Sequence, residues 1–338
     1  NKNADLPFQA SAVVGGELAM IGVGGTATVE LGSARAALVL TPFGETLLER
    51  IEASTERVNP AKIRTGWPRA ALDIRLRDGM LDATRFRGDI DISNVEAGTI
   101  YANRLPLRHL ATGVEWTGTE ILVNGLNADL GQAGRVQGSG RYADAIAHLD
   151  LRTGNLNLAG LHAKLNATGL SGTMDGALTP SSQHLRGTLQ DKRLAADFDV
   201  EHAADRIDVR ALAIRIGAGR IEASGALALA GEQAFKASGR VINFNPAALG
   251  RFESASLNAQ FDASGHAGGV PAGSGRFIIR NSRVRGFPIE GAATLDVGDG
   301  RIRAVDVDLS IAGNSVQAKG VLGTPADTLQ WRVDAQYL

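Results

Sequence analysis

The sequence predicts an all-β fold, an elongated and mainly antiparallel repeat sheet folded into a trough, and three observations predict it. The stretch Ile207–Leu227, IDVRALAIRIGAGRIEASGAL, has close variants at Ile121–Arg141 and Ile302–Leu322. Each copy ends a return strand on glycine, Gly140, Gly225 or Gly320, and these recur 85 and 95 residues apart (225 − 140 and 320 − 225). That spacing is far longer than one rung of a simple solenoid, so each unit holds several strands. The second observation is composition: Gly 42 against Pro 10, with 44% hydrophobic residues that are mostly small or branched aliphatics. The third is alternation of apolar and polar residues, the period of a strand, broken at one place in every copy.

Taken in order, residues 1–58 read as strands at Phe8–Val14, Glu17–Gly22, Thr26–Leu31, Ala34–Leu40 and Leu47–Val58, separated by Gly or Pro turns. The segment from Thr41 could open a short helix with Leu47, Leu48 and Ile51 on one side. Its counterpart from Thr324 instead alternates Leu329, Trp331, Val333 and Ala335 as far as Leu338, so both read as a turn followed by a strand. Asn59-Pro60-Ala61, Asn157-Leu158-Ala159 and Asn245-Pro246-Ala247 form a second recurring device. Asn caps a helical turn and Pro suits its first position, which predicts one or two turns of helix at each. Ala71–Leu76 before Asp78-Gly79, and Ala292–Val297 before Asp299-Gly300, read as meander hairpins. Connections this short exclude the crossovers that parallel strands need. The chain then reads as one continuous array over 1–338, with units 1–58, 59–156, 157–244 and 245–338, cut at both ends from something longer. About 25 to 30 strands at ~4.8 Å spacing would extend on the order of 120 to 140 Å.

Within the repeat the alternation changes phase. Ile207 and Val209 share one face, while Leu212, Ile214 and Ile216 share the other; Ile121 and Val123 against Leu126, Ala128 and Leu130, and Ile302 and Ala304 against Val307, Leu309 and Ile311, do likewise. An odd offset needs a bulge if all of these side chains are to face one interior. A bend at one height in every unit would fold the meander into the trough, with aliphatics inside and charges outside.

These elements resemble the TamB and AsmA-like family of large periplasmic proteins of Gram-negative envelopes. The resemblance lies in the strand pair with its small-residue turn and terminal Gly, the following strand AFKASGRVINF, and the Asn-Pro-Ala turn at Asn245. It spans nearly the whole chain, as a pattern of degenerate repeats without a catalytic signature. It implies a U-shaped sheet, a β-taco, whose apolar groove carries phospholipid between inner and outer membrane. It also implies an inner-membrane anchor and a TamA-like outer-membrane barrel as partner, both through regions outside this chain.

Lys plus Arg is 35 against 36 for Asp plus Glu, a net charge of −1 without blocks of like sign, so nothing points to nucleic acid. The absence of Cys fits a periplasmic or secreted bacterial protein, and no apolar run of about 18 residues predicts a spanning helix. Six histidines are scattered without metal-ligand spacing. The run Asp89–Asn94 begins like a calcium loop but has Ile100 where the twelfth-position Glu belongs. Gly22-Val23-Gly24-Gly25-Thr26-Ala27 mimics a dinucleotide fingerprint, yet a strand follows it where the phosphate site needs a helix, so it reads as a hairpin. No cofactor or metal is expected, and the reading is not an enzyme.

What remains is the apolar face, with Leu126, Leu130, Leu212, Ile214, Ile216, Val307, Leu309 and Ile311 as expected acyl-chain contacts. Alternating aliphatics in a sheet are ordinarily core. Here there are almost no helices to cover the sheet, and a 16-carbon chain would gain on the order of 12 kcal/mol over water in an open trough. The alternatives are a structural β-solenoid with a closed interior and a scaffold that assists outer-membrane protein assembly by lending its sheet edge to client strands. A polysaccharide-active enzyme would need clustered carboxylates on an aromatic-lined face, and aromatics are only 5%.

Overall fold

The protein is described as a computed structural model. It describes residues 8–29, 32–44, 46, 48–63, 67–82, 84–203, 205–250, 252–299, 301–322 and 326–335. The expected strand ends at Leu31, Leu47 and Leu338, the turn residue Gly300 and the turn opening at Thr324 lie outside these residues. The chain is all-β and divides into two compact units, Asn1–Asp175 and Gly176–Leu338.

The first unit is a meander of β1 (Phe8–Glu17), β2 (Met20–Val29), β3 (Gly32–Leu40), β4 (Leu48–Val58), β5 (Leu72–Leu81), β6 (Phe86–Asn94), β7 (His109–Trp116), β8 (Ile121–Asp129), β9 (Arg135–Ala143) and β10 (Ile146–Leu156). Each strand pairs antiparallel with the next. β11 (Leu170–Leu178) crosses the division. The second unit continues with β12 (Ser182–Gln190), β13 (Leu194–Ala203), β14 (Arg206–Ile216), β15 (Gly219–Ala228), β16 (Ala234–Phe244) and β17 (Ala255–His266). Then follow β18 (Ala272–Val284), β19 (Phe287–Gly298), β20 (Arg301–Ile311), β21 (Asn314–Leu322) and β22 (Leu329–Asp334). From β12 onward each strand is again antiparallel to its successor.

The tight turns have the chemistry that hairpins demand. Arg285-Gly286 and Ala312-Gly313 hold φ of 52° and 86°, and of 54° and 84°, the left-handed pair that matches strand twist. Other glycines fall elsewhere than expected. Gly22–Gly25 runs through the middle of β2, so Met20–Gly22 and Thr26–Val29 belong to a single strand, and the hairpin lies at Leu18-Ala19, inside the expected strand Glu17–Gly22. Asp78-Gly79 is not the turn either: it is a bulge inside β5, with Asp78 at φ 51°, and the turn follows at Asp82–Arg85. Merged strands of this kind, with long connections at 95–108 and 157–169, leave 22 strands among the described residues where more were expected.

Short helical turns follow the three asparagines. α1 (Pro60–Ile63) begins after Asn59, α2 (Leu158–Leu161) after Asn157, and a 3₁₀ turn, Pro246–Ala248, after Asn245. In each the Asn Oδ1 accepts the backbone N–H two residues on, at 3.1, 3.2 and 3.1 Å. Asn157 and Asn245 accept a second backbone N–H, from Thr168 and Ala255, and so tie the turn to the chain that leaves it.

Candidate functional site

Register decides which side chains share a face, because residues directly opposed across a pair of strands point the same way. In β14 the ladder pairs Val209 with Gly225 and Leu212 with Ala223, leaving Arg210 and Ala211 opposite one residue of β15. This bulge brings Ile207, Val209, Leu212, Ile214 and Ile216 onto one face, as the odd offset requires. β8 repeats it between Val123 and Leu126. The third copy differs. Its bulge in β20 falls between Ile302 and Val305, so Val305 joins the apolar face while Ala304 opposes Asp296 on the other. Further bulges lie between Val241 and Phe244 and between Ile279 and Ser282, towards other strand ends. The bends are therefore not at one height: the bulge is set strand by strand, by where the apolar parity slips.

Following the register across the second unit gives two uninterrupted apolar rows. One runs Leu212, Ala223, Gly239, Phe261, Phe277, Ala293, Val307; the next runs Ile214, Ile221, Val241, Ala259, Ile279, Gly291, Leu309. Leu212 and Val307 thus share a row, and so do Ile214 and Leu309, although their strands are six apart. The rows on the opposite face are polar, as in Ser224, Ser238, Asp262, Arg276, Thr294, Asp306, Lys319. That face carries the ion pairs: Arg215 with Asp197 at 3.2 Å, Lys319 with Asp306 at 3.2 Å, and Glu222 with both Arg240 and Arg220. The hydrogen bond from Arg240, with the charge of Arg220 beside it, holds the Glu222 carboxyl below the usual carboxylate range.

None of the side chains in the two apolar rows is buried. All are half-buried except Phe277, which is 42% exposed. A sheet face under a second layer would bury its large aliphatics. Among the described residues of this unit the buried hydrophobics are only Leu189, Leu194 and Phe244, all near strand ends. The Phe261 ring packs over Gly239, where a Cβ would stand 2.8 Å from it.

Two expected contacts sit differently. Ile311 ends β20 and is 40% exposed. Leu130 lies beyond β8, where it precedes the 3₁₀ turn Gly131–Ala133 with its N–H bonded to the Gly134 carbonyl; Leu126 is on the apolar face, opposite Gly138. Sequence reasoning missed Phe198, Phe261 and Phe277, whose parity relative to the bulges would have placed them on the same face. In the first unit the apolar face includes Ala12, Gly25, Ala36 and Ala53 in one row, under a shallow depression of about 460 Å³.

The remaining polar groups have local structural duties. Asn94, where the run Asp89–Asn94 ends, is buried and accepts from Ala71 N and Glu96 N while donating to the Leu107 carbonyl. His109 pairs with Asp91, and His184 with Asp199, each at 2.8 Å across neighbouring strands of the charged face. Among the described residues no His or carboxylate cluster could hold a metal ion, and no helix is long and apolar enough to cross a membrane. No family model matches the chain, and neither the curated proteins nor the solved structures give a match.

Proposed function

We propose that the chain is a non-enzymatic segment of a TamB- or AsmA-like periplasmic bridge, and that its apolar face binds phospholipid acyl chains and conducts them between membranes. The observation that carries the reading is the pair of unbroken apolar rows from β14 to β20, in which no side chain is buried by the described residues. In this reading the face curls into a U-shaped trough, the bulges supply the bending, and the Asn-capped turns close strand ends. On this reading the chain works in the periplasm of a Gram-negative bacterium, and an inner-membrane anchor and the contact with a separate TamA-like outer-membrane barrel would be supplied by regions outside it. Aliphatics and small residues suit the task, since neighbouring positions differ by a few methylenes at about 0.8 kcal/mol each. An acyl chain can then move along the rows without leaving a deep well.

The test is mass spectrometry of lipid extracts from the purified chain, beside a variant carrying Leu212→Asp, Ile214→Asp and Ile216→Asp and a control with Ala213→Asp on the charged face. Phospholipid in parent and control and none in the triple variant supports the reading. A folded parent that carries no lipid and takes none from vesicles would defeat it.

A further inference from the structure

A second surface, in the first unit, has a different chemistry. The connections after β4 and after β6 leave the strands on either side of β5, at the same end of the sheet. Backbone bonds lock them together: Arg69 N to Asn103 O at 3.0 Å, Leu105 N to Arg69 O at 3.0 Å, and Val95 N to Ala71 O at 3.2 Å. Arg69 and Arg104 form an isolated parallel bridge, and the Tyr101 ring meets His162 of the next connection edge to face at 5.0 Å. On this fixed platform stand large apolar side chains turned to solvent. Ile100 and Tyr101 are 62% and 68% exposed, Val95 is 63% exposed, and Trp67 is 44% exposed. A soluble surface scatters such residues singly, and a cluster held on rigid backbone marks an interaction site.

The charges around it are mainly positive. Lys62, Arg69, Arg108 and Lys164 are exposed and Arg104 is half-buried, none with an ion-pair partner among the described residues. The acid on these connections is Glu96, and Arg57 stands 3.9 Å from it. The chain as a whole carries −1, so the excess of cations is local. Indole and phenol rings beside Lys and Arg are the chemistry of a bilayer interface, where rings sit at headgroup level and cations meet anionic lipid. We infer that this platform docks the chain onto an anionic bilayer surface. The inference does not rest on the apolar face carrying lipid, because the platform contacts headgroups from outside and belongs to the other unit.

The experiment is vesicle flotation with the full chain, using phosphatidylcholine alone and phosphatidylcholine with phosphatidylglycerol. Binding to the mixed vesicles, weakened by salt, is the expected result. Each cation near the surface contributes on the order of fivefold, so Lys62→Glu with Arg69→Glu should weaken binding by about 25-fold or more. Trp67→Ser with Ile100→Ser should also weaken it, at unchanged circular dichroism and melting. The variant carrying Leu212→Asp, Ile214→Asp and Ile216→Asp should bind vesicles like the parent, which separates this surface from the lipid-carrying face. Equal binding to neutral and anionic vesicles, or Lys62/Arg69 and Trp67/Ile100 variants that bind like the parent, would overturn the inference. So would the same variants losing self-association and leaving vesicle binding intact, since the platform would then meet a second copy.

Discussion

Ile214→Asp is the substitution that best separates an open lipid face from an ordinary core. Ile214 opposes Ala196 on β13 and Ile221 on β15, and it is half-buried. Full burial of an isoleucine stabilises by about 1.5–3 kcal/mol, so the half that the fold collects here is about 1 kcal/mol. Aspartate's poor strand propensity adds up to about 1 kcal/mol, and a cost near 2 kcal/mol should leave a cooperative sheet standing. An acyl chain lying over position 214 meets a harsher change, because it must cover a carboxylate. Desolvating an unpaired charge costs several kcal/mol; at ~3 kcal/mol the local affinity falls by roughly 150-fold. Ile214→Ala removes only contact, about 1 kcal/mol or fivefold. The two variants should therefore have similar melting curves and differ by about 30-fold in retention of a fluorescent acyl phospholipid. In a closed core the order reverses: Asp unfolds the protein, and lipid retention is absent from the parent as well. Equal lipid retention by two folded variants would refute the reasoning.

Other outcomes follow from the same geometry. Deleting Arg210 makes the offset between Val209 and Leu212 even, so Ile207 and Val209 stay in phase with Leu212 without a bulge and the variant should melt close to Arg210→Ala; deleting Arg210 and Ala211 together sets them out of phase, and that variant should melt lower and bind more of a dye that senses apolar surface. Asn157→Ala strips two backbone N–H groups of their acceptor and the Gln132 carbonyl of a donor, for a loss of about 1–2 kcal/mol in denaturant titration. Asp82 accepts from Thr84 N at 2.9 Å and Arg85 N at 2.8 Å, and these bonds hold its carboxyl below the usual range. A depressed carboxyl contributes stability that is present above its unfolded pKa and lost as pH falls through the lowered folded value. The difference in melting temperature between the parent and Asp82→Asn should accordingly shrink on acidification below the ordinary carboxylate range.

Much of the fold was legible because a sheet face has a period of two. The phase slip between Val209 and Leu212 could be read as a bulge without coordinates, and so could the one between Val123 and Leu126. In the third copy the same reasoning chose Ala304, since alanine is tolerated on either face, and the bulge that puts Val305 inside was invisible. Glycine misled for a related reason. Gly22–Gly25 and Asp78-Gly79 have the composition of turns, but one is mid-strand and the other a bulge, and only pairing with β1 and with β6 decides between these states. The aromatics of the apolar rows were missed by reasoning on composition: few in the chain, several nevertheless share one face, with Phe198 opposite Leu212, Trp331 in the same row and Phe261 directly opposite Phe277.

That pair makes the face less uniform than aliphatic repeats alone suggest. A row of Leu, Ala and Gly offers an acyl chain nearly the same contact at each strand, with differences of one or two methylenes, about 1–2 kcal/mol. Adjacent rings at Phe261 and Phe277 add contact area at one place on the path, and Gly239 and Ala293 on either side keep the neighbouring positions low. On the proposed reading, a lipid crossing the second unit would therefore meet a deeper well at this pair. Phe277→Ala removes the more exposed ring while Phe261 stays packed over Gly239. If lipid moves along these rows, that variant should hold less lipid at equilibrium and release it faster, by about tenfold for a lost ~1.4 kcal/mol of contact. Should both quantities stay at the parent's values, the rings would be packing for the sheet alone and the path would have to lie elsewhere.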